Sequence, residues 1–305
     1  MASIMDTDTT IQQTSHRVSS GRITAYLSLI RPVNCLMIGF AVIVGEVINL
    51  GSVPALDKLV FGFLTASLMM AGTMVLNDVY DIEIDRLNAP TRPLPSGRAS
   101  LRGAYVLAAV LSIASIVSAV LLGLASLLIA LLALALMVFY NARGKRMGLL
   151  GNVVVSFNVA LPFVFGGISV SSLHPSVILF SLLAFLSNLG REVAKGIADV
   201  QGDSLHRVRT LAVLKGSRAA ALTSSGLFSS AVVVSFVPPF LGIVSVLYIP
   251  AVLIADFGFV FSSARLVSDP SPENARKVKN RVLLWMLLGL IAFLLGGFSI
   301  PVSSF

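Results

Sequence analysis

The chain has 305 residues, of which 56% are hydrophobic and only 12% are charged, whereas a soluble globular protein carries about 25% charged residues. That composition excludes an ordinary water-soluble surface. The net charge of +8 would suggest nucleic-acid binding in a soluble protein, but the sequence has no RNP, zinc-finger or helix-turn-helix pattern, so we expect no nucleic-acid partner. The apolar residues form runs that are long enough to cross a membrane as helices.

The chain begins with a polar segment, residues 1–21, that is rich in Ser and Thr. This segment lacks the basic-then-apolar order of a cleaved signal peptide, and we interpret it as a mobile tail. Residues 22–305 show no internal boundary, so we expect them to form a single transmembrane domain.

The apolar runs predict an all-α fold, a polytopic membrane bundle of about nine transmembrane helices. Short loops with Gly or Pro separate the runs, because these residues end helices. The predicted spans are residues 23–50, 58–80, 101–122, 124–141, 149–171, 175–198, 217–238, 242–264 and 280–299.

The basic residues predict how the bundle is oriented in the cell membrane. If the N-terminus is cytoplasmic, every Lys and Arg except Lys58 falls in the tail or in a cytoplasmic loop. Such a distribution obeys the positive-inside rule. We therefore expect a multi-pass protein whose N-terminus and active site face the cytoplasm and whose C-terminus lies outside.

The first acidic cluster is N-D-V-Y-D-I-E-I-D, from Asn77 to Asp85, at the cytoplasmic end of the second span. Asn77, Asp81 and Asp85 are spaced four residues apart and share one face of a helix, with Asp78 beside them. Carboxylates at this density repel one another unless a cation lies between them, and oxygen ligands suit Mg²⁺. The cluster predicts a magnesium site; the alternative is a solvated helix end paired with nearby arginines.

The second acidic cluster is E-V-A-K-G-I-A-D-V-Q-G-D, from Glu192 to Asp203, at the cytoplasmic end of the sixth span. Asp199 and Asp203 are again four residues apart, and we expect them to provide the other half of a two-cluster metal site. Glu192 and Lys195 share a helix face. They are interpreted either as an internal ion pair that makes a polar helix tolerable in the membrane or as catalytic residues.

Two acidic clusters surrounded by basic side chains are typical of diphosphate chemistry. Bound Mg²⁺ would neutralise part of the diphosphate charge, and basic side chains would stabilise the leaving group as its charge develops. For each basic residue, a purely topological role is the alternative. The candidates for diphosphate contacts are Arg86, Arg92, Lys145, Lys195 and Arg209.

Tyr140 ends the fourth span on the cytoplasmic side. A tyrosine is common at a membrane interface, but its ring could also stabilise an allylic carbocation through its π face. With this second interpretation, the candidate catalytic residues are Asp81, Tyr140, Lys145 and Asp199.

Three segments together resemble the UbiA superfamily of intramembrane prenyltransferases. They are N-D-V-Y-D-I-E-I-D-R-L-N-A-P-T-R-P-L-P-S-G from Asn77, Y-N-A-R-G-K-R from Tyr140, and the second acidic cluster. The resemblance implies a helical bundle around a central cavity and Mg²⁺-dependent transfer of a polyprenyl group from its diphosphate to an acceptor. By matching position, it makes Lys145 and Tyr140 contacts of the diphosphate and of the allylic carbon. It implies that the metal site is formed by Asn77, Asp78, Asp81, Asp85, Asp199 and Asp203.

Within this superfamily, the loop sequences look most like those of archaeal digeranylgeranylglyceryl phosphate synthases, and they are also similar to those of chlorophyll synthases and homogentisate prenyltransferases. The first resemblance implies geranylgeranylglyceryl phosphate as the acceptor; an aromatic acceptor such as 4-hydroxybenzoate is the alternative. A phosphorylated acceptor would need a further basic contact, for which Arg31, Arg143 and Arg146 are candidates by charge alone.

Two other classes of membrane protein compete with this interpretation. A secondary transporter is suggested by Glu46 and Asp256, which lie inside predicted spans. Transporters, however, bind their substrates near the midplane at broken helices, whereas here most acids cluster at the cytoplasmic helix ends. A CDP-alcohol phosphotransferase would carry its own acidic signature within one helix, and that signature is absent from the sequence.

Overall fold

The structure is a computed structural model that describes residues 21–205 and 208–298. Residues 1–20 of the predicted tail and residues 299–305 lie outside the described residues, so the expectations for them are untested. Among the described residues every regular element of secondary structure is a helix, and turns and loops connect them.

Nine helices in the described part of the chain are long and apolar enough to cross a membrane, which confirms the predicted all-α bundle. Short helices, Ile82–Asn88, Gly144–Met147, Val200–Leu205, Leu211–Lys215 and Val237–Phe240, lie in the connections. The nine long helices are α1 (Pro32–Leu50), α2 (Leu56–Tyr80), α3 (Leu101–Leu122), α4 (Leu124–Ala142), α5 (Leu149–Val170), α6 (Pro175–Ala198), α7 (Ser217–Ser235), α8 (Tyr248–Ser268) and α9 (Pro272–Gly297).

The first predicted span, 23–50, is in fact two helices. One covers residues 21–30, and the helical conformation is interrupted at Arg31 before α1 begins. Arg31 adopts a left-handed conformation, with φ 53° and ψ 68°. Pro32 follows it and has no N–H with which to continue the preceding helix. The break turns the chain just before the membrane and gives the Arg31 side chain its position at the site described below.

The last two predicted spans also begin at the wrong residues. The eighth, predicted as 242–264, is Tyr248–Ser268, and the ninth, predicted as 280–299, begins at Pro272. The ninth helix starts early because the Ser271 hydroxyl accepts a hydrogen bond from the Asn274 N–H and Pro272 suits the first helical turn. A polar turn therefore extends α9 beyond its apolar run.

The helices form a ring of contacts in which α1 packs against α2, α5 and α9, while α6 packs against α5, α7 and α9. The crossing of α1 and α5 is especially close. A Cβ on Gly45 would collide with the carbonyl oxygen of Phe163, and one on Gly166 would collide with that of Val42. Small residues permit this approach of two backbones, as is common between membrane helices.

The predicted central cavity is divided into two adjoining apolar cavities. Cavity 1 lies between α1, α2, α4 and α5, and its lining includes Thr73, Met74 and Met137. Cavity 2 lies between α1, α5 and α6–α9, and its lining includes Ser187 and Met286. Both cavities are lined mainly by apolar side chains, and the two acidic clusters lie at the same end of the bundle as these residues.

Candidate active site

The first acidic cluster lies where α2 ends. The helix stops at Tyr80, and Asp81 joins it to the short helix Ile82–Asn88. The side-chain amide of Asn77 donates to Asp81 Oδ2 at 3.2 Å and is 3.4 Å from Asp78 Oδ1. The contact between Asn77 and Asp81 is the one that their four-residue spacing predicts.

Arginines bind the two most buried carboxylates of this cluster. Arg31 donates to Asp78 at 2.6 Å, and Arg92 donates to Asp85 at 2.6 Å while also lying 3.8 Å from Asp78. Burial raises the pKa of the Asp85 carboxyl, and the hydrogen bond and charge of Arg92 oppose that effect. Burial acts to lower the pKa of Arg92, but Asp85 outweighs it and raises the pKa overall. The contact between Arg92 and Asp85 holds the loop after α2 against the short helix that contains Asp85.

Lys145 binds the remaining carboxylate, with its Nζ 2.8 Å from Asp81 Oδ2. Burial lowers the pKa of the Lys145 ammonium, and the Asp81 charge opposes this. Lys145 lies in the short helix after α4, whose end requires Gly148 at φ 60° and ψ −121°. A Cβ at Gly148 would collide with the carbonyl oxygen of Arg209, so the loop packs on the segment that precedes α7.

Tyr140 lies between the two clusters. Its ring packs over Gly144 and Gly151; a Cβ on Gly144 would be 3.1 Å from the ring. The Tyr140 side chain is in electrostatic range of Asp81 from the first cluster and of Lys195, with its neighbours, from the second. Charged groups of both acidic clusters therefore act on Tyr140, and a site shared by the two clusters stays a prediction.

The second cluster is built around a buried glutamate. Glu192 accepts from Arg191 at 2.9 Å and from Lys195 at 3.2 Å, which confirms the predicted internal ion pair. Asp199 lies 3.8 Å from the Nζ of Lys279 on α9. Sequence analysis did not select Arg191 or Lys279. Arg191 directly precedes the second acidic cluster in the sequence. Lys279 lies far from it in the sequence and approaches it only because α9 packs against α6.

Two of the residues predicted to contact the diphosphate, Arg86 and Arg209, have exposed side chains. Arg86 is 57% exposed and pairs with Glu83, itself 74% exposed, at 2.8 Å. The Arg209 side chain is exposed, and its backbone rather than its guanidinium meets the Gly148 loop. The structure thus brings Arg92, Lys145 and Lys195 to the clusters, whereas Arg86 and Arg209 lie outside the immediate contacts.

Asn141 is a further polar residue at the site that sequence analysis did not select. Its side chain is buried, and its amide nitrogen has no hydrogen-bond partner. It lies one helical turn from Met137, which lines cavity 1, on the same face of α4. Its position directly after Tyr140 in the Y-N-A-R-G-K-R motif was the available signal.

The residues present fit a magnesium ion whose coordination shell is completed by oxygen atoms of a substrate and by water. Among the described residues, no group of three His, Cys, Asp or Glu side chains forms a metal site by itself. Mg²⁺ is normally bound through one or two carboxylates together with substrate phosphates and waters. One carboxylate oxygen of Asp78 and one of Asp81 lie within 3.4 Å of the Asn77 amide nitrogen, and these two carboxylates offer the ligands of that kind of site.

Comparison with known proteins identifies the family. A model of the UbiA prenyltransferase family matches residues 38–291, a range that contains both acidic clusters, Tyr140 and Lys145. The chain belongs to the UbiA prenyltransferase family. Its membership makes the protein a prenyltransferase, as the motifs suggested, and it favours an enzyme over a secondary transporter.

The most similar relatives share nearly the whole length of the chain. A digeranylgeranylglyceryl phosphate synthase from Archaeoglobus fulgidus is 37% identical over 92% of this chain and 99% of its own, and one from Methanosphaera stadtmanae is 31% identical over 89% and 98%. A solved structure of digeranylgeranylglyceryl phosphate synthase is 30% identical, with a TM-score of 0.75 over 91% of this chain and 99% of that one. A UbiA homologue from Archaeoglobus fulgidus, bound to DMAPP and Mg²⁺, is 19% identical with a TM-score of 0.63 over 88% and 98%, and thus shares the fold.

In this UbiA family member, each of the intramembrane acids that suggested a transporter accepts a hydrogen bond from a serine hydroxyl of a neighbouring helix. Glu46 is fully buried; it accepts from the Ser169 hydroxyl at 3.1 Å, and Gly62 leaves room for its carboxylate. Asp256 accepts from the Ser235 hydroxyl at 2.7 Å. Asp256 also lines cavity 2.

Proposed function

We propose that the protein transfers a geranylgeranyl group from its diphosphate to geranylgeranylglyceryl phosphate, with Mg²⁺, in the synthesis of archaeal-type ether lipids. The observation that carries the proposal is the position of the first acidic cluster and Lys145 directly beside an apolar cavity. The digeranylgeranylglyceryl phosphate synthases that match the chain at 31–37% identity support the choice of acceptor.

Cavity 1 is the proposed site of the donor's isoprenoid chain. Thr73, which lines it, is one helical turn from Asn77, and Met137 is one turn from Asn141. A donor whose chain lies in this cavity would have its diphosphate at the Asp81–Lys145 pair. Lys145 and Arg92 would then bind the diphosphate oxygens, with Lys195 reaching the same space from the second cluster. Arg86 and Arg209 are further candidates for this role.

We propose that residues of both acidic clusters are the metal ligands. Mg²⁺ bound there would supply positive charge that neutralises part of the negative charge of the carboxylates and the diphosphate. Each acid now paired with Arg31, Arg92 or Lys145 would share its charge with the ion when substrate binds. The proposed metal-site residues are Asn77, Asp78, Asp81, Asp85, Asp199 and Asp203.

The proposed reaction begins with breakage of the allylic C–O bond. Lys145 stabilises the negative charge that develops on the leaving diphosphate, and the Tyr140 ring stabilises the positive charge on the allylic carbon. The free hydroxyl oxygen of the acceptor attacks that carbon and forms the ether bond. The proton of this hydroxyl passes to the released diphosphate or to Asp81. Asp199 takes part as a proposed metal ligand from the second cluster. Positioning and electrostatic stabilisation supply most of the rate acceleration.

The orientation of the bundle is part of the proposal. The chain is a multi-pass membrane protein, and we infer that its N-terminus and active site face the cytoplasm while its C-terminus lies outside. The positive-inside rule supports this, because only Lys58 among the basic residues falls on the other side.

A transfer assay with purified protein tests the function. Geranylgeranyl diphosphate and Mg²⁺ are incubated in turn with geranylgeranylglyceryl phosphate and with 4-hydroxybenzoate, and product and released diphosphate are measured. We expect product with the lipid acceptor and none after chelation of the metal. Product with the aromatic acid alone would refute the lipid assignment but not prenyl transfer. No metal-dependent release of diphosphate with either acceptor would refute the enzyme mechanism.

A further inference from the structure

The second acidic cluster contains cationic donors that its carboxylates do not satisfy. Arg191 reaches Glu192 through one terminal nitrogen, but its Nε is buried and has no hydrogen-bond partner. Lys279 is only 17% exposed, and its Nζ lies 3.8 Å from Asp199, longer than a hydrogen bond. Buried cationic groups with unused donors are costly unless an anion binds them.

These cations lie one and two helical turns from residues that line cavity 2. Arg191 is one helical turn from Ser187 on α6, and Lys279 is two turns from Met286 on α9; Ser187 and Met286 both line the cavity. Arg191 is closer than Ser187 to the end of α6 at which the second acidic cluster lies. Lys279 is likewise closer than Met286 to the end of α9 that meets this cluster. A molecule with an anionic head and an apolar tail would therefore fit here, just as the donor fits at cavity 1.

We propose that Arg191 and Lys279 bind the phosphate of the acceptor and that cavity 2 holds its isoprenoid chain. The inference rests on the proposed function and adds to it a second phosphate site, separate from the donor's site at Lys145. A phosphomonoester offers several anionic oxygens, which suit the guanidinium of Arg191 and the ammonium of Lys279. Arg31, Arg143 and Arg146, the candidates by charge alone, are not needed for this contact.

The arrangement also explains how two long-chain substrates reach one another. Cavities 1 and 2 adjoin at Ile38 and Val159, which line both. An acceptor bound at the second site would direct its glycerol hydroxyl towards the allylic carbon of a donor bound at the first.

The test compares the phosphorylated acceptor with geranylgeranylglycerol, which lacks the phosphate. The variant is Lys279→Gln, and the matched control is Lys277→Gln on the same helix, where Lys277 is exposed and pairs with Glu273. In Lys279→Gln we expect the KM for geranylgeranylglyceryl phosphate to rise about 10- to 100-fold. The preference for this acceptor over geranylgeranylglycerol should fall by the same factor, while the KM for geranylgeranyl diphosphate changes much less, because Lys279 meets the donor's site only through Asp199 at 3.8 Å. The control should keep all three values.

Arg191→Lys provides a second variant that keeps the charge beside Glu192, and binding of geranylgeranylglyceryl phosphate without donor provides a second measurement. We expect weaker binding in both variants. A rise in the donor KM with an unchanged acceptor KM would assign these cations to the donor's diphosphate and overturn the proposal. Unchanged acceptor binding in both variants would also overturn it and leave a bound membrane lipid as their partner. Absence of transfer to either acceptor by the wild type, by contrast, would refute the proposed function itself.

Discussion

Replacement of Asp81 by Asn separates the proposed catalytic role of this residue from its structural role. The substitution keeps the volume of the side chain and its ability to contact Asn77, but it removes the charge that binds Lys145 at 2.8 Å. The Asp81 and Lys145 side chains are 23% and 24% exposed, so loss of this one charge-assisted contact should lower the free energy of unfolding by only about 1–3 kcal/mol. Loss of a proposed metal ligand should lower kcat about 10²- to 10³-fold, comparable with removal of one electrostatic contact to a transition state.

The assay measures Mg²⁺-dependent product formation from geranylgeranyl diphosphate, together with thermal stability in detergent. Glu83→Gln is the matched control, because Glu83 is two residues away, exposed and paired only with exposed Arg86. We expect the control to keep activity within about a factor of two, as for other exposed ion pairs. An Asp81→Asn protein with full activity would remove Asp81 from the site. Equal losses of activity in Asp81→Asn and the control would refute the specific role.

Three further results are expected. Gly45→Ala should destabilise the protein by about 1–3 kcal/mol in detergent, because its Cβ would collide with the Phe163 carbonyl at the α1–α5 crossing. Gly226→Ala is the control and should not destabilise the protein, because there is open space around Gly226. Equal stability of the two variants would contradict the close packing of α1 on α5. Because the one native cysteine is buried, membrane-impermeant maleimide should label Ser52→Cys from outside intact cells and Thr91→Cys only after lysis; the reverse would invert the proposed orientation. Chelation should abolish diphosphate release and Mg²⁺ should restore it; release that persists after chelation would exclude the metal.

Sequence reasoning predicted the bundle well because each helix carries its own signal. An apolar run predicts a span without knowledge of its neighbours, and the alternation of basic loops supports the number of spans. The errors occur where a polar segment continues a helix or interrupts it. Pro272 begins α9 in a charged segment, and Arg31 breaks what reads as one span, because capping and a left-handed residue are invisible to hydropathy.

Within the site, sequence reasoning succeeded for contacts inside one helix. The spacing of Asn77 and Asp81, and of Glu192 and Lys195, predicts contacts that the structure contains. Contacts between helices could not be predicted in this way. The approach of Lys279 to Asp199 depends on α9 packing against α6, and neither residue is near the other in sequence.

The central claim is that both acidic clusters hold the donor's diphosphate through bound metal ions. The most direct measurement is a crystal structure with Mn²⁺ in place of Mg²⁺ and a non-reactive analogue of geranylgeranyl diphosphate, in which anomalous scattering locates the metal. The account predicts anomalous peaks beside Asn77 and Asp81 and beside Asp199 and Asp203, with the diphosphate between them and the isoprenoid chain in cavity 1. Metal bound away from both clusters, or a diphosphate that contacts neither, would contradict it.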